Sequence, residues 1–284
     1  MLLAGLCTVD LIQRVDELPA PGEKVQSLRV DVAAGGPATN AAVTAAALGA
    51  EATLLTVLGA HPLAALARAD LEAHGVRLID LAPSLADPPP VSAVAVRDRD
   101  GERTVVSRNA KDASFLGKVT FFGAGEAAGA DVVLVDGHHP ELALAVAREA
   151  RAAGVPVVLD AGSWKPVLDE LLPLVDVAAC SAHFSAPGPG LHERGVPTVI
   201  TTAGPHPVRW STADGSSGEV PVADVEARDT LGAGDVWHGA LAVAVTCEPT
   251  VTDRIRFANE VAAERVRQVG PRSWTTAIAG RNRT

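Results

Sequence analysis

Short apolar runs alternate with alanine-rich, amphipathic segments along most of the chain. The runs have the length of strands, and we predict strands buried on both faces at residues 2–9, 52–58, 132–136, 155–160, 175–179 and 197–201. The intervening segments predict helices at residues 37–48, 62–73, 140–153 and 166–173. Helices that alternate with doubly buried strands are typical of a mostly parallel sheet covered on both sides. We therefore predict a three-layer α/β/α fold, formed as a single domain over residues 1–284.

Two more polar segments interrupt this pattern. Residues 11–34 and 91–109 alternate apolar and polar positions with a period of two, and the second contains a turn signal at Arg99-Asp100-Gly101. We predict that both form a small sheet outside the main body. Because a sheet of a few strands is marginally stable unless one face is covered, we expect it to cover the functional site and to pair with the same sheet of a second copy. The sequence thus predicts a lid and a homodimer.

The sequence DTLGAGD at residues 229–235 precedes a helical pattern and is the strongest candidate site. Its glycines permit a tight turn, and backbone N–H groups at a helix N-terminus attract an anion. Asp235 falls at the start of the helix. There it could cap the helix or accept a proton from a hydroxyl that attacks a phosphate, and the spacing alone does not decide between the two.

Two further positions are candidates for binding a small polar ligand. Gly35 and Gly36 precede Pro37 and Asn40 at a predicted helix start, where bare backbone and an amide could meet hydroxyl groups. Asp10 follows the first predicted strand, where a carboxylate could accept two hydroxyl hydrogen bonds. The plain alternatives are an ordinary loop-to-helix transition and a solvated loop carboxylate.

Composition narrows the classes of function. The chain has 284 residues, a net charge of −10 and 48% hydrophobic residues, which permits a large core and argues against a nucleic-acid partner. Its three cysteines are widely spaced, and a reducing cytoplasm fits them better than a disulfide framework. No apolar run reaches the ~18 residues of a membrane span, and the N-terminus has the pattern of a strand rather than of a signal peptide. We therefore expect a cytoplasmic protein without a membrane partner.

Taken together, the motifs resemble those of the ribokinase (PfkB) family of carbohydrate kinases across nearly the whole chain. GGPATNAA at residues 35–42 resembles the N-terminal signature of that family, and DTLGAGDVWHGAL at residues 229–241 resembles the C-terminal one. The resemblance implies a ribokinase-like fold with a small β-sheet lid. It also implies that Asp235 is the general base. The N–H groups that would form the anion hole for the transferred phosphoryl group belong to Gly232, Ala233 and Gly234.

The same resemblance implies a sugar pocket, a nucleotide site and cofactors. The residues implied for the sugar pocket are Asp10, Gly35, Gly36 and Asn40, with Lys24 where some relatives direct a cation at an anionic substituent. The residues implied for ATP are Thr202, Gly204, Thr230 and Asn259. The cofactors are ATP and Mg²⁺, with Asp160 reaching the metal through water, and K⁺ is expected near Asp229.

The chain departs from the family pattern in the nucleotide region. Ser181 and Phe184 stand where many relatives have the Asn and Glu of an Asn-x-x-Glu motif, and Pro207 stands where they have a glycine. These departures indicate a divergent fructokinase-like or ketohexokinase-like branch. We predict an ATP-dependent kinase of a hydroxymethyl group on a sugar or sugar derivative. The alternatives are a kinase of a nucleoside or another small alcohol, whose base-stacking aromatics the lid segments lack, and a degenerate regulator that binds a sugar or nucleotide without catalysis.

Overall fold

Two sheets organise the computed structural model, which describes residues 1–108 and 125–279. In chain order the strands are β1 (Leu2–Ala4), β2 (Thr8–Val15), β3 (Ser27–Gly35), β4 (Thr53–Thr56), β5 (Arg77–Asp80), β6 (Val91–Arg97), β7 (Arg103–Ser107), β8 (Val133–Val135), β9 (Val157–Ala161), β10 (Val177–Ser181), β11 (Thr198–Ala203), β12 (His206–Thr212) and β13 (Ser217–Val220). The helices are α1 (Pro37–Ala47), α2 (Pro62–Ala73), α3 (Pro140–Ala153), α4 (Leu168–Leu171), α5 (Ala233–Cys247), α6 (Val251–Arg267) and α7 (Thr275–Ile278).

The larger sheet is mostly parallel, as predicted. Its strand order is β13-β12-β11-β10-β9-β8-β1-β4-β5, and only β12 and β13 at one edge pair in the antiparallel sense. The side chains of alternate residues in β1 point to opposite faces of the sheet. Leu3 packs into a core with α1, α2, α5 and α6, and Leu2 and Ala4 pack into a second core with α3 and α4. The predicted three-layer ribokinase-like arrangement is therefore confirmed.

The predicted helices need small corrections. The helices predicted at residues 37–48, 62–73 and 140–153 agree with α1, α2 and α3 to within one residue. The helix predicted at 166–173 is shorter, because α4 ends at Leu171 and gives way to a single 3-10 turn at Leu172–Leu174. Pro173 lies in that turn and has no N–H to continue an α-helical ladder.

The single strand predicted at residues 2–9 is wrong, because the chain changes sheets in the middle of it. β1 ends at Ala4, the N–H of Leu6 donates to Oδ2 of the buried Asp136 at 2.8 Å, and β2 begins at Thr8 in the smaller sheet. A Cβ on Gly5 would lie 2.2 Å from Oδ1 of Asp136, so only glycine fits at the crossing. The lid consequently begins at Thr8 rather than at residue 11. β5, β12 and β13 were not predicted.

The smaller sheet has the order β3-β2-β6-β7 and forms the predicted lid. Residue 109, the last of the predicted lid segment, lies outside the described residues. Ile12, Val94 and Val96 form the buried inner face and contact Leu231 of the DTLGAGD segment. The β6–β7 turn closes at Gly101 in the left-handed region with φ +70°. The lid therefore rests directly on the loop that precedes α5.

Helices α1 and α5 cross closely at Gly239. A Cβ at this position would lie 2.6 Å from the carbonyl oxygen of Ala41 and 2.8 Å from Cβ of Thr44. Such an approach requires a residue without a side chain on α5 and small residues on α1. The crossing places the first turn of α1, which contains Asn40, next to the first turn of α5, which contains Asp235.

Candidate active site

Asp235 lies in the first turn of α5, immediately after a backbone turn that only glycine adopts readily. Gly232, the residue before the helix, has φ +70° and ψ 10°. The side chain of Asn40 reaches across from α1 and donates from Nδ2 to Oδ2 of Asp235 at 2.8 Å. The two sequence motifs, whose residues Asn40 and Asp235 lie 195 positions apart, therefore meet at one carboxylate.

Burial, followed by the nearby negative charge of Asp160, raises the pKa of Asp235 to about 7. The hydrogen bond from Asn40 and the ring of His238 oppose this shift. A carboxyl group that titrates near neutral pH is well matched to accepting a proton from an alcohol.

Asp160 is buried in β9, and its partner is the imidazole of His238, one turn after Asp235. Nδ1 of His238 lies 3.3 Å from Oδ2 of Asp160 and 2.7 Å from the carbonyl oxygen of Gly234. Burial raises the pKa of Asp160. Within residues 1–108 and 125–279, no three His, Cys, Asp or Glu side chains are grouped so that they could hold a metal ion.

Asp10 lies on β2, on the inner face of the lid, rather than at the end of a main-sheet strand. Its Oδ1 accepts a hydrogen bond of 2.6 Å from Oγ1 of Thr8, and burial raises its pKa. A Cβ on Gly35 would lie 2.0 Å from Oδ2 of Asp10, and Gly36 has φ +97°. The glycine pair thus leaves room for the carboxylate and lets the chain turn into α1.

One cavity joins these groups. Asp10, Gly36, Asn40, Gly232 and Asp235 all line it, together with Ile12 of the lid. The structure therefore brings together most of the residues that the resemblance implied for the sugar pocket and for catalysis.

Arg272 also lines this cavity, although no motif in the sequence points to it. Its Nη1 donates to Oδ1 of Asn40 at 3.0 Å, and its Nη2 donates to Oδ2 of Asp70 at 2.8 Å. Although burial opposes the charged form, hydrogen bonds from His74 and Arg272 hold the pKa of Asp70 at about 2. Arg272 therefore fixes the Asn40 amide with its NH₂ group towards Asp235.

Asp229, where K⁺ was expected, is fully engaged by the protein. Oδ1 accepts hydrogen bonds from Arg265 (3.2 Å) and from the N–H of Leu231 (3.0 Å). Oδ2 accepts hydrogen bonds from Arg14 and from the N–H of Gly270, both at 3.0 Å. Because a carboxylate has about four lone-pair sites, this residue does not fit as a ligand of a metal ion.

The residues implied for the nucleotide lie apart from this cavity or are engaged within the protein. Thr202 and Gly204 lie at the end of β11, and Oγ1 of Thr230 accepts a hydrogen bond of 2.8 Å from Arg103. Asn259 is buried on α6, where its amide accepts from Trp237 and donates to the carbonyl of Pro221.

Lys24 is exposed in the loop between β2 and β3 and does not line the cavity. The contacts of ATP with these nucleotide residues, and of Lys24 with an anionic substituent, stay predictions.

Comparison with known proteins identifies the family. The sequence profile of the pfkB family of carbohydrate kinases matches residues 1–277. The chain belongs to this family. It is 25% identical to the ribokinase of Bacillus subtilis, over 91% of this chain and 90% of that protein. It is 31% identical to the ATP-dependent ribose-1-phosphate kinase of Halopiger xanaduensis, over 98% and 96% of the two chains.

Solved structures agree with this assignment at the level of the fold. The crystal structure of ribokinase from Thermotoga maritima superimposes with a TM-score of 0.76 at 22% identity, covering 98% of each chain. This pfkB family member is thus a carbohydrate kinase, a phosphotransferase, and its relatives include ribokinases. No helix among the described residues is long and apolar enough to cross a membrane.

Proposed function

We propose that this carbohydrate kinase transfers the γ-phosphoryl group of ATP to a hydroxymethyl group of a sugar, with Asp235 as the general base. The observation that carries the proposal is the position of Asp235 in the cavity, with its pKa raised to about 7. The sugar hydroxyl transfers its proton to Asp235 as its oxygen attacks the γ-phosphoryl group in line, the bond to the β-phosphate oxygen breaks, and ADP leaves. Asn40 holds the carboxylate in place through its hydrogen bond.

The start of α5 supports a role in stabilising the transferred phosphoryl group. The N–H of Ala233 already donates to the carbonyl oxygen of Thr230 at 3.2 Å. Within the described residues, the N–H groups of Gly232 and Gly234 donate to no protein acceptor. A Cβ on Gly234 would meet no atom within 4 Å, so space for a ligand lies above it. These two N–H groups, with the helix dipole, would neutralise charge as it develops.

Asp160 and Asp235 fit a Mg²⁺ ion whose main ligands would be the phosphate oxygens of ATP and water molecules. Mg²⁺ prefers oxygen ligands and keeps several waters, so one or two carboxylates suffice beside substrate phosphates. Asp160 lies close enough to Asp235 for its charge to raise the pKa of that residue. Asp160 would orient the waters of the ion, and the ion would supply positive charge to the phosphates.

We propose ribose or a closely related pentose, free or phosphorylated, as the sugar. The names of the relatives support this class, since they are a ribokinase and a ribose-1-phosphate kinase. The deciding experiment measures ATP consumption with ribose, ribose 1-phosphate, fructose, other ketoses and nucleosides. Turnover with nucleosides and with no sugar would contradict the sugar proposal and support a nucleoside kinase. Binding of sugar or ATP without turnover in the whole panel would favour the regulator.

Replacing Asp10 by Ala is expected to weaken sugar binding. Asp10 accepts hydroxyl hydrogen bonds in both the ground and the transition state, and charge-assisted bonds contribute about 1.5–3 kcal/mol each, so the Kd should rise by about ten- to a hundredfold or more. ATP binding should change little. Titration calorimetry with each substrate checks this, and a sugar Kd equal to that of the wild type would remove Asp10 from the site.

The pH profile should report the raised pKa of Asp235. Because the protonated carboxyl cannot accept the hydroxyl proton, kcat/KM should fall as the pH drops through about 7. Asp160→Asn removes a negative charge that raises the pKa of Asp235. The acidic limb of the kcat/KM profile of this variant should therefore move to lower pH, even if the maximal rate of the variant also changes. Asp169→Asn, at an exposed carboxylate, is the matched control and should leave the limb in place. A limb at the same pH in all three proteins would contradict this electrostatic account.

We also propose that the lid forms a homodimer. Its outer face carries an apolar row across all four strands, in which Val32 pairs with Leu11, Leu11 with Ala93, and Ala93 with Val106. Val106 is 72% exposed and Leu11 is 37% exposed, which is costly for apolar side chains grouped in one patch. A second copy of the same face would cover the row.

Light scattering at micromolar concentration should give the mass of a dimer. Val106→Asp places a charge in this apolar row, at its most exposed position on the edge strand β7, and should give a monomer. Leu66→Asp, at an exposed apolar residue of α2, is the control and should remain dimeric. A monomeric wild-type protein would contradict the proposal.

A further inference from the structure

We propose that Arg14 and Arg265 take the place of a monovalent cation beside Asp229, so that phosphoryl transfer by this enzyme requires no K⁺. The inference rests on the proposed kinase activity. Its starting point is the disagreement between the expected K⁺ site and the structure, in which four protein donors satisfy Asp229.

The charges in this region oppose the entry of a further cation. The side chains of Arg14, Arg265 and Asp229 are 7%, 2% and 3% exposed, so these charges interact with little screening by solvent. Two guanidinium groups, which stay charged in proteins, face the single carboxylate of Asp229. Arg14 also pairs with Asp98, but the side chain of that residue is 51% exposed. Around Asp229, beside the loop that precedes α5, buried positive charge therefore already exceeds buried negative charge.

Arg265 also determines the direction of one proposed anion-hole donor. Its Nη2 donates to the carbonyl oxygen of Leu231 at 2.6 Å, and its Nη1 donates to the carbonyl oxygen of Asp229 at 3.2 Å. In a planar trans peptide the C=O and the following N–H point in opposite directions. The carbonyl of Leu231 points at Arg265, so the N–H of Gly232 points away from it. The guanidinium group of Arg265 thus fixes the orientation of the Leu231–Gly232 peptide, a role that a bound ion could otherwise have.

Arg14 differs from Arg265 because it belongs to the lid. It lies on β2, and it reaches Asp229 only when the lid rests on the loop before α5. Arg265, by contrast, comes from α6 in the main body. One of the two charges is therefore fixed in place, and the other is delivered by the lid.

The first test uses the wild-type protein in chloride salts of K⁺, Na⁺ and tetramethylammonium at matched ionic strength. We expect kcat to agree within about twofold in the three salts, because Arg14 and Arg265 already supply the positive charge beside Asp229. Tetramethylammonium is the reference cation, since it is too large to enter a site shaped for K⁺. We also expect the same Tm, since an ion that binds only the folded state would raise it. Activation by K⁺ of about tenfold or more, or a K⁺-specific rise in Tm, would overturn the proposal.

The second test removes the charge that the lid delivers. Arg14→Ala should lower kcat by about tenfold or more with a smaller change in KM, and added guanidinium or K⁺ should restore part of the loss. Arg99→Ala is the control, because Arg99 is an exposed lid arginine that pairs with Glu17 and Asp100 and not with Asp229. A kcat like that of the wild type, or a loss that neither ion restores, would overturn the role of Arg14.

The two tests separate this inference from the kinase proposal. A wild-type protein that phosphorylates no sugar in any salt contradicts the proposed function, and the Tm comparison still decides whether K⁺ binds. If Arg14→Ala does not fold, the salt comparison on the wild-type protein decides alone.

Discussion

Replacing Asp235 by Asn is expected to reduce kcat by about 10²–10⁴-fold, the usual contribution of a general base. The amide cannot accept the hydroxyl proton, so the loss falls on the transition state. Sugar affinity should persist, because the amide keeps the shape of the side chain and an oxygen towards the Nδ2 group of Asn40. Steady-state kinetics beside sugar titration calorimetry measures both quantities. A variant with a kcat near that of the wild type would refute the assignment of the base.

The stability of this variant provides an internal control. The folded-state pKa of Asp235 is raised to about 7, above its value in the unfolded chain. Above that pH the ionised carboxylate therefore lowers the free energy of unfolding. Removing the charge should leave the Tm at pH 8 equal to or above that of the wild type. A large fall in kcat without a fall in Tm would show that the loss is chemical rather than structural.

Replacing Gly234 by Ala is expected to reduce kcat/KM for ATP by about 10²-fold or more while the fold remains intact. The added methyl group would enter the open space above the first turn of α5, where we place the transferred phosphoryl group. The backbone N–H remains in the variant, but a phosphoryl group displaced from it should lose about as much as when a well-placed oxyanion donor is removed, which costs about 10²–10³-fold in kcat. The helix itself should benefit, because Ala in a helix is more stable than Gly by roughly 0.5–1 kcal/mol.

Kinetics and thermal unfolding of Gly234→Ala test the two parts of this expectation together. Gly190→Ala, in an exposed loop where a Cβ meets only Oε1 of Glu193, is the matched control. The control should keep the activity of the wild-type protein. An active Gly234→Ala enzyme would mean that the phosphoryl group lies elsewhere.

The sequence predicts the central strands of the main sheet because they are apolar on both faces, a pattern that needs no knowledge of neighbours. The strands it misses, β5, β12 and β13, lie at the two edges of the sheet and are partly exposed. The change of sheet after Ala4 could not be predicted in this way. The run LLAGLCTV is mostly apolar, since residues 2–9 are all buried. What separates the two strands is the hydrogen bond from Leu6 to Asp136, whose residues lie 130 positions apart. Such a contact leaves no trace in the local pattern.

The site shows the same division between local and distant information. The glycines, Asn40 and Asp235 stand in motifs that can be recognised, and the structure brings Asn40 and Asp235 into contact. Arg14, Arg265 and Arg272 have no motif and resemble solvent-exposed charges in the sequence. Their burial depends on how α6, the lid and the segment after Gly270 meet around Asp229 and Asp70.

The contact between the lid and the loop before α5 has a consequence for how the two substrates bind. Leu231 packs against the inner face of the lid, and Arg103 donates to Thr230, so a sugar that holds the lid down also orders the loop that faces ATP. Sugar and ATP should then bind with positive coupling, of the order of 1–3 kcal/mol in known cases. Thermodynamic reciprocity requires that ATP tighten sugar binding by the same factor by which the sugar tightens ATP binding. ATP alone would therefore meet a less ordered loop, and the enzyme would hold its phosphoryl donor most firmly when an acceptor is present.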